Sequence, residues 1–153
     1  MNKSFIISGS GGQGVISIGQ ILANIFMLSN KFGSFCPCYG AEMRGGAVNC
    51  EINTSDSELL CLQNEKVDFV IALNQASFDK FLSKVKENGT IIVNSSLAKI
   101  NKTRNDIKYI FAPITQEAIK LGNIKKSYER ILKNKTELIQ KNIEAYLFGF
   151  NSI

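Results

Sequence analysis

The sequence predicts an α/β fold, an open and mostly parallel twisted sheet flanked by helices, and three observations predict it. A short apolar run, Lys3–Ser8, ends at a glycine-rich stretch, SGSGGQGVIS, that opens a segment of helical periodicity. Strand-like and helix-like runs then alternate along the chain. The 153 residues, 44% hydrophobic and 20% charged, suit one globular unit with a substantial core. No repeat or linker divides them, so residues 1–153 are read as one domain.

Lys3–Ser8 reads as a first parallel strand buried on both faces. After the glycines, Val15, Ile18, Leu22 and Ile25 recur at helical spacing, which predicts a helix from Gly14 to about Leu28. Phe32–Cys36 is a second strand, Pro37–Gly46 a loop without periodicity, and Ala47–Ile52 a third strand turned by Ser55–Ser57. Val67–Leu73 is again a buried-strand pattern. Asn74 caps the next helix, whose stripe is Phe78, Phe81, Leu82 and Val85, and Gly89 ends it. Thr90–Val93 and Ile107–Phe111 are further strands, and Pro113 opens a short helix to Leu121 that Gly122 closes. Ile139, Ile143, Tyr146, Leu147 and Phe150 share one face of a final amphipathic helix. This order is Rossmann-like, and ligands on such sheets bind beyond the carboxyl ends of the strands. That rule brings the Gly9–Gly14 loop near the end of Phe32–Cys36 and the loop after it.

The net charge of +5 arises mostly from Lys80 onward, where lysines interleave with Asp79, Glu87, Asp106, Glu117, Glu129 and Glu137. Such interleaving marks solvated helix faces, and no RNA-binding aromatic signature accompanies it, so no nucleic-acid partner is expected. No apolar stretch reaches the roughly 18 residues of a membrane span. The N-terminal MNKSFIISG reads as a strand rather than a signal peptide. The expectation is a cytoplasmic protein without a membrane partner. Histidine is absent, which removes imidazole as base, proton shuttle or metal ligand. Cys36, Cys38, Cys50 and Cys61 match neither a zinc nor an iron–sulfur spacing, and all four are expected as free thiols.

Gly9-Ser10-Gly11-Gly12-Gln13-Gly14 satisfies the G-x-G-x-x-G pattern of a dinucleotide-binding turn. A nicotinamide site also needs a carboxylate ending the second strand, to hold the ribose hydroxyls. Residues 1–41 contain no Asp or Glu, and the second strand ends FGSFCPC. The glycines could equally serve close helix–sheet packing or bind a phosphate or other anion at a helix N-terminus. The later loop, CPCYGAEMRGG, sets the Arg44 guanidinium beside the amides of Gly45 and Gly46, an arrangement suited to phosphate or carboxylate. Glu42 could pair with Arg44, Tyr39 offers a ring and a hydroxyl, and a plain surface turn with a Glu–Arg pair is the bland alternative.

Together, GSGGQGVISIGQILA and YGAEMRGGAVNCEINTSDSEL closely resemble the gamma subunit, or gamma domain, of 2-oxoacid:ferredoxin (acceptor) oxidoreductases. That family has a G-x-G-G-Q-G loop after its first strand, then a Tyr-Gly-x-Glu-x-Arg-Gly-Gly segment and a Ser-Asp pair, here Ser55-Asp56. The resemblance runs from about Phe5 to Gly122, and VDFVIALNQASFDKF also fits it. The region 123–153 is shortened relative to the family, with only Asn142, Ala145 and Gly149 resembling its closing helix.

The resemblance implies a subunit of a hetero-oligomer that oxidatively decarboxylates a 2-oxoacid to an acyl-coenzyme A and passes electrons to ferredoxin or a similar acceptor. Thiamine pyrophosphate, Mg and [4Fe-4S] clusters would sit on partner subunits, with coenzyme A as co-substrate near this one. The Tyr-Gly-x-Glu-Met-Arg-Gly-Gly form favours 2-oxoglutarate and branched-chain members. The candidate cofactor-binding residues are Gly9, Gly11, Gly12, Gln13, Gly14, Tyr39, Glu42, Arg44, Gly45 and Gly46. No residue is assigned as catalytic or as a metal ligand, and the isolated chain is expected to be inactive. The alternatives are a stand-alone Rossmann-like nucleotide-binding oxidoreductase domain and a purely structural assembly module.

Overall fold

A computed structural model describes residues 2–40, 46–57 and 64–120. Within these residues six strands form one mixed sheet: β1 (Lys3–Ser10), β2 (Phe32–Tyr39), β3 (Ala47–Ser55), β4 (Val67–Ala72), β5 (Val85–Asn94) and β6 (Lys108–Ala112). Their order is β2-β3-β1-β4-β5-β6. The pairings β1–β4, β4–β5 and β5–β6 are parallel, whereas β1–β3 and β2–β3 are antiparallel. The sheet is therefore mostly parallel, with an antiparallel pair of strands at one end. Among the described residues three α-helices accompany it, α1 (Val15–Leu28), α2 (Gln75–Phe81) and α3 (Ile114–Lys120). The predicted final helix, and Leu121 and Gly122 with it, lie outside the described residues.

The core divides along the two faces of the sheet. On one, α1 lays Val15 and Ala23 over Ile7, Cys50 and Ile52. The helix comes this close because position 19 is glycine: a Cβ there would collide with the Cys50 sulfur and stand 2.8 Å from the Phe35 ring. On the other, Phe78 and Phe81 of α2 pack with Ile6, Val70, Ile91 and Val93. Branched side chains from strands buried on both faces supply both layers.

Three expectations are corrected. The second strand does not stop at Cys36 but continues through Pro37 to Tyr39. Proline is tolerated because, among the described residues, β2 is an edge strand paired with β3 alone. Gly89 does not end a helix. The helix stops at Phe81, a single 3-10 turn at Leu82–Lys84 redirects the chain, and Gly89 lies within β5. The β4–β5 register shifts here, Val67 facing Val85 but Phe69 facing Thr90, and Asn88 takes φ 59° to accommodate the extra residues. A Cβ at Gly89 would lie 2.8 Å from the Lys86 carbonyl and 2.9 Å from that of Asp68, so close backbone approach accounts for this glycine. Third, the cysteines are not all free thiols: Cys36 is disulfide-bonded, whereas Cys38 and Cys50 are free.

At the amino ends of β1 and β4, Asp68 gathers the nearby donors. Its Oδ2 accepts the Ser4 backbone N–H at 2.9 Å, the Ser4 hydroxyl at 2.8 Å and Lys86 Nζ at 3.0 Å, and Lys3 Nζ stands 3.5 Å from Oδ1. Burial opposes the charge, but the bonds from Lys86 and Ser4 outweigh it and bring the carboxyl down to about 2. A depressed folded-state pKa stabilises the fold above the unfolded value near 4 and is lost as pH falls toward 2, an effect on the order of 1–2 kcal/mol. Asp68→Asn should therefore melt below the wild type at pH 5–7, and the two melting curves should converge as pH is lowered from 4 to 2. An equal gap at every pH would show that the network contributes through packing alone.

Candidate functional site

The carboxyl end of β1 carries the first glycine motif. Gly12 and Gly14 take positive φ, 94° and 77°, and Gly14 is the N-cap residue of α1 in the left-handed region. A glycine cannot cap with a side chain, and α1 has neither a side-chain cap nor an acidic residue in its first turn. The amides at this end are thus left pointing beyond the helix with the positive end of its dipole, a setting that favours an anion. Gly9 has a different role. A Cβ there would stand 2.5 Å from Gln13 Oε1 and 3.1 Å from Leu73 Cβ, so its glycine lets the loop fold back over the strand.

Gln13 is the clasp of that fold. Its Oε1 accepts the Ser10 backbone N–H at 2.7 Å, and its own N–H donates to the Ser10 carbonyl at 3.1 Å. Asn74 ties the loop to the next strand–helix junction. Its Nδ2 donates to the Ser10 hydroxyl at 2.8 Å and lies 3.5 Å from Gln13 Oε1, while its Oδ1 accepts the Ser77 N–H and caps α2. Behind it, the buried Asn94 at the end of β5 donates to the Leu73 carbonyl at 3.1 Å and to the Thr115 hydroxyl at 2.8 Å. The carboxyl ends of β1, β4 and β5 are thus joined by polar side chains.

The second motif reaches the same place. Ser10 pairs with Ala47 and Val48 with Tyr39, so the end of β2 and the start of β3 lie at the end of the sheet that holds the glycine loop. The Gly11 N–H donates to the Gly46 carbonyl at 3.0 Å, a direct link between the two motifs. Tyr39 is exposed at the end of β2. Glu42, Arg44 and Gly45 lie outside the described residues. Of the candidates, then, Gly9, Gly11, Gly12, Gln13, Gly14, Tyr39 and Gly46 are placed, all at one end of the sheet.

Cys50, beneath α1, is no nucleophile. Burial pushes its thiol up to about 11 against a smaller lowering by the Ile7 backbone, and its sulfur lies 3.6 Å from the Val15 carbonyl. Among the described residues, no three Cys, Asp or Glu side chains gather as metal ligands. Sequence reasoning missed Ser10, Asn94 and Thr115 and saw Asn74 only as a helix cap. The available signal was position, because Asn74 and Asn94 each directly follow or end an apolar run.

An open α/β sheet with a glycine loop and an uncapped helix at its carboxyl end defines a Rossmann-like domain with an anion-favouring end. Comparison with known proteins narrows this. Residues 4–126 match the family model described as pyruvate ferredoxin/flavodoxin oxidoreductase, and the chain belongs to that family, as a relative of its gamma-type subunits. A 2-oxoglutarate synthase subunit KorC from Archaeoglobus fulgidus is 28% identical over 157 residues, covering 94% of this chain and 84% of the relative. Its counterpart from Methanocaldococcus jannaschii is 36% identical over 126 residues, covering 79% of this chain and 67% of the relative. A ketoisovalerate oxidoreductase subunit VorA from Methanothermobacter marburgensis is 34% identical over 99 residues, and the match spans only 21% of that longer protein.

Solved structures share the fold. The 2-oxoglutarate:ferredoxin oxidoreductase from Magnetococcus marinus, with 2-oxoglutarate, coenzyme A and succinyl-CoA bound, superposes with a TM-score of 0.75 at 18% identity. The match covers 98% of this chain and 30% of that one. A keto/oxoacid ferredoxin oxidoreductase gamma subunit from Geobacter sulfurreducens superposes at 0.65 with 24% identity, covering 99% of this chain and 95% of that one.

Asn74→Ala should cost about 1–2 kcal/mol, because it removes a helix cap and the tether of the glycine loop together. Urea unfolding reads the stability, and amide exchange at Gly12 and Gly14 should accelerate in parallel. A stability loss with unchanged exchange in the loop would assign Asn74 to capping alone.

Proposed function

We propose that the chain serves within a multi-subunit 2-oxoacid:ferredoxin oxidoreductase that converts a 2-oxoacid, with 2-oxoglutarate favoured, to its acyl-coenzyme A. In this reading the chain supports assembly and forms one wall of the pocket for coenzyme A or another anionic group. The observation that carries it is the Gly11–Gly46 hydrogen bond, which fastens the two motifs side by side next to the uncapped end of α1. Backbone amides and a guanidinium are the donors that a pyrophosphate or a carboxylate requires. Arg44 supplies the fixed positive charge, the amides of Gly12 and Gly14 approach the anion, and Tyr39 flanks them.

The redox chemistry belongs to partner subunits in a cytoplasmic complex. Cys36 is committed to a disulfide and Cys50 is buried under α1, so neither suits cluster ligation. Thiamine pyrophosphate, Mg and the [4Fe-4S] clusters would be carried by those partners, which pass electrons to ferredoxin or a similar acceptor. The isolated chain would be inactive.

A second reading has an observation of its own. The filled space at Gly9 and the bond between Gly11 and Gly46 also suit a module whose glycines serve packing alone. Arg44→Ala in the assembled complex separates the two. Loss of a charge-assisted contact should weaken coenzyme A binding by about tenfold or more, measured by calorimetry and by the KM for coenzyme A. Unchanged affinity and turnover would leave the assembly module as the correct reading.

A further inference from the structure

Helix α1 is apolar on two sides. The side toward the sheet buries Val15, Gly19 and Ala23. On the side toward solvent, Ile18 is 38%, Ile21 55%, Ile25 51% and Leu28 85% exposed. A helix that packs by one face normally turns charged residues outward. Here no Asp, Glu, Lys or Arg occurs between Lys3 and Lys31, so α1 carries no charge on any side.

The exposed stripe recurs at i, i+3, i+7 and i+10, the a and d positions of two successive heptads. That period is the seam of two paired helices, so the occupant it fits is another helix. The stripe is also symmetric about Ala23. In an antiparallel pair with a two-fold axis at that level, Ile18 of one copy meets Leu28 of the other, and Ile21 meets Ile25. A second copy of α1 therefore supplies the whole complementary stripe. Helices α2 and α3, seven residues each, are too short to match it.

Charge and area favour the same occupant. Two copies of a chain with net charge +5 repel one another, yet this uncharged face brings no like charges into contact. Antiparallel pairing also sets the two helix dipoles favourably. The four apolar side chains open roughly 400 Å², within the range at which an exposed patch marks an interaction site. Ser17, Gln20 and Asn24, exposed and uncharged, form a rim beside them. With that rim the face reaches about 600 Å² a side, the lower end of specific interfaces, which makes for a reversible dimer. We propose that two copies of this chain pair through α1, antiparallel about a two-fold axis at the level of Ala23. The pairing is independent of what the glycine loop binds, and it sets the two glycine loops at opposite ends of the helix pair.

Sedimentation velocity of the full chain tests it. The wild type should pass from monomer to dimer as its concentration rises. Ile25→Glu should raise the dissociation constant by about tenfold or more, since a charge would enter the apolar seam, and Ile21→Lys should do the same. Combining Ile21→Lys with Ile25→Glu should restore the dimer. Antiparallel pairing sets each lysine against a glutamate of the other copy, whereas parallel pairing would oppose like charges. Leu28→Glu, at the most exposed of the four side chains, should weaken the dimer likewise if either single variant fails to unfold cooperatively. A monomer at every concentration, a dimer indifferent to Ile25→Glu and Leu28→Glu, or a double variant that stays monomeric would overturn the proposal.

Discussion

Strand β1 is the constraint on which the rest of the structure depends, because it pairs parallel with β4 on one side and antiparallel with β3 on the other. Parallel pairing aligns the carboxyl ends of β1, β4 and β5, where ligands of such sheets bind. Antiparallel pairing returns the chain between β2 and β3 to that same end. A sheet with β3 parallel to β1 would send the start of β3 to the opposite end, some eight residues of strand away. The Gly11–Gly46 bond could not then form. The two motifs meet because of strand direction rather than sequence proximity.

Glycine does two separate jobs at this end. At Gly9 and Gly19 it removes a side chain so that loop and helix can press onto the sheet. At Gly12 and Gly14 it permits positive φ and leaves the first turn of α1 without a side-chain cap. Only the second job leaves donors available to a ligand. The polar ties through Gln13, Asn74 and Asn94 hold this turn in place, so its amides are ordered before any ligand arrives, which lowers the entropic cost of binding. At the other end of the sheet, Asp68 and its donors tie β1 to β4 and β5.

Much of the fold was legible in the sequence where local pattern and burial agree. The bounds of α1 were readable because apolar residues recur at helical spacing after a glycine that cannot extend the strand. The strands β1, β4 and β6 were readable as short apolar runs. The errors fell where a long-range fact decides. Pro37 marks a break only if its strand is central, and nothing local says that β2 is an edge. Gly89 follows a stretch whose Phe78, Phe81, Leu82 and Val85 fit one helical face, and all four do join one core. They do so from a helix, a 3-10 turn and a strand, however, because the backbone reverses at Leu82. The disulfide state of Cys36 is likewise not encoded in the cysteine spacing. At the site, the glycines were legible as a motif, whereas the clasp by Gln13 and the tether by Asn74 required the loop's return path.

The proposed function requires that the glycine loop and the uncapped turn of α1 face a bound anionic group in the assembled enzyme. Hydrogen exchange of the Gly11–Ser17 amides, measured in the purified complex with and without saturating coenzyme A, tests it most directly. Exchange in this segment should slow on binding while the amides around Asp68, at the far end of the sheet, are unaffected. Coenzyme A bound with no protection in Gly11–Ser17 would contradict it.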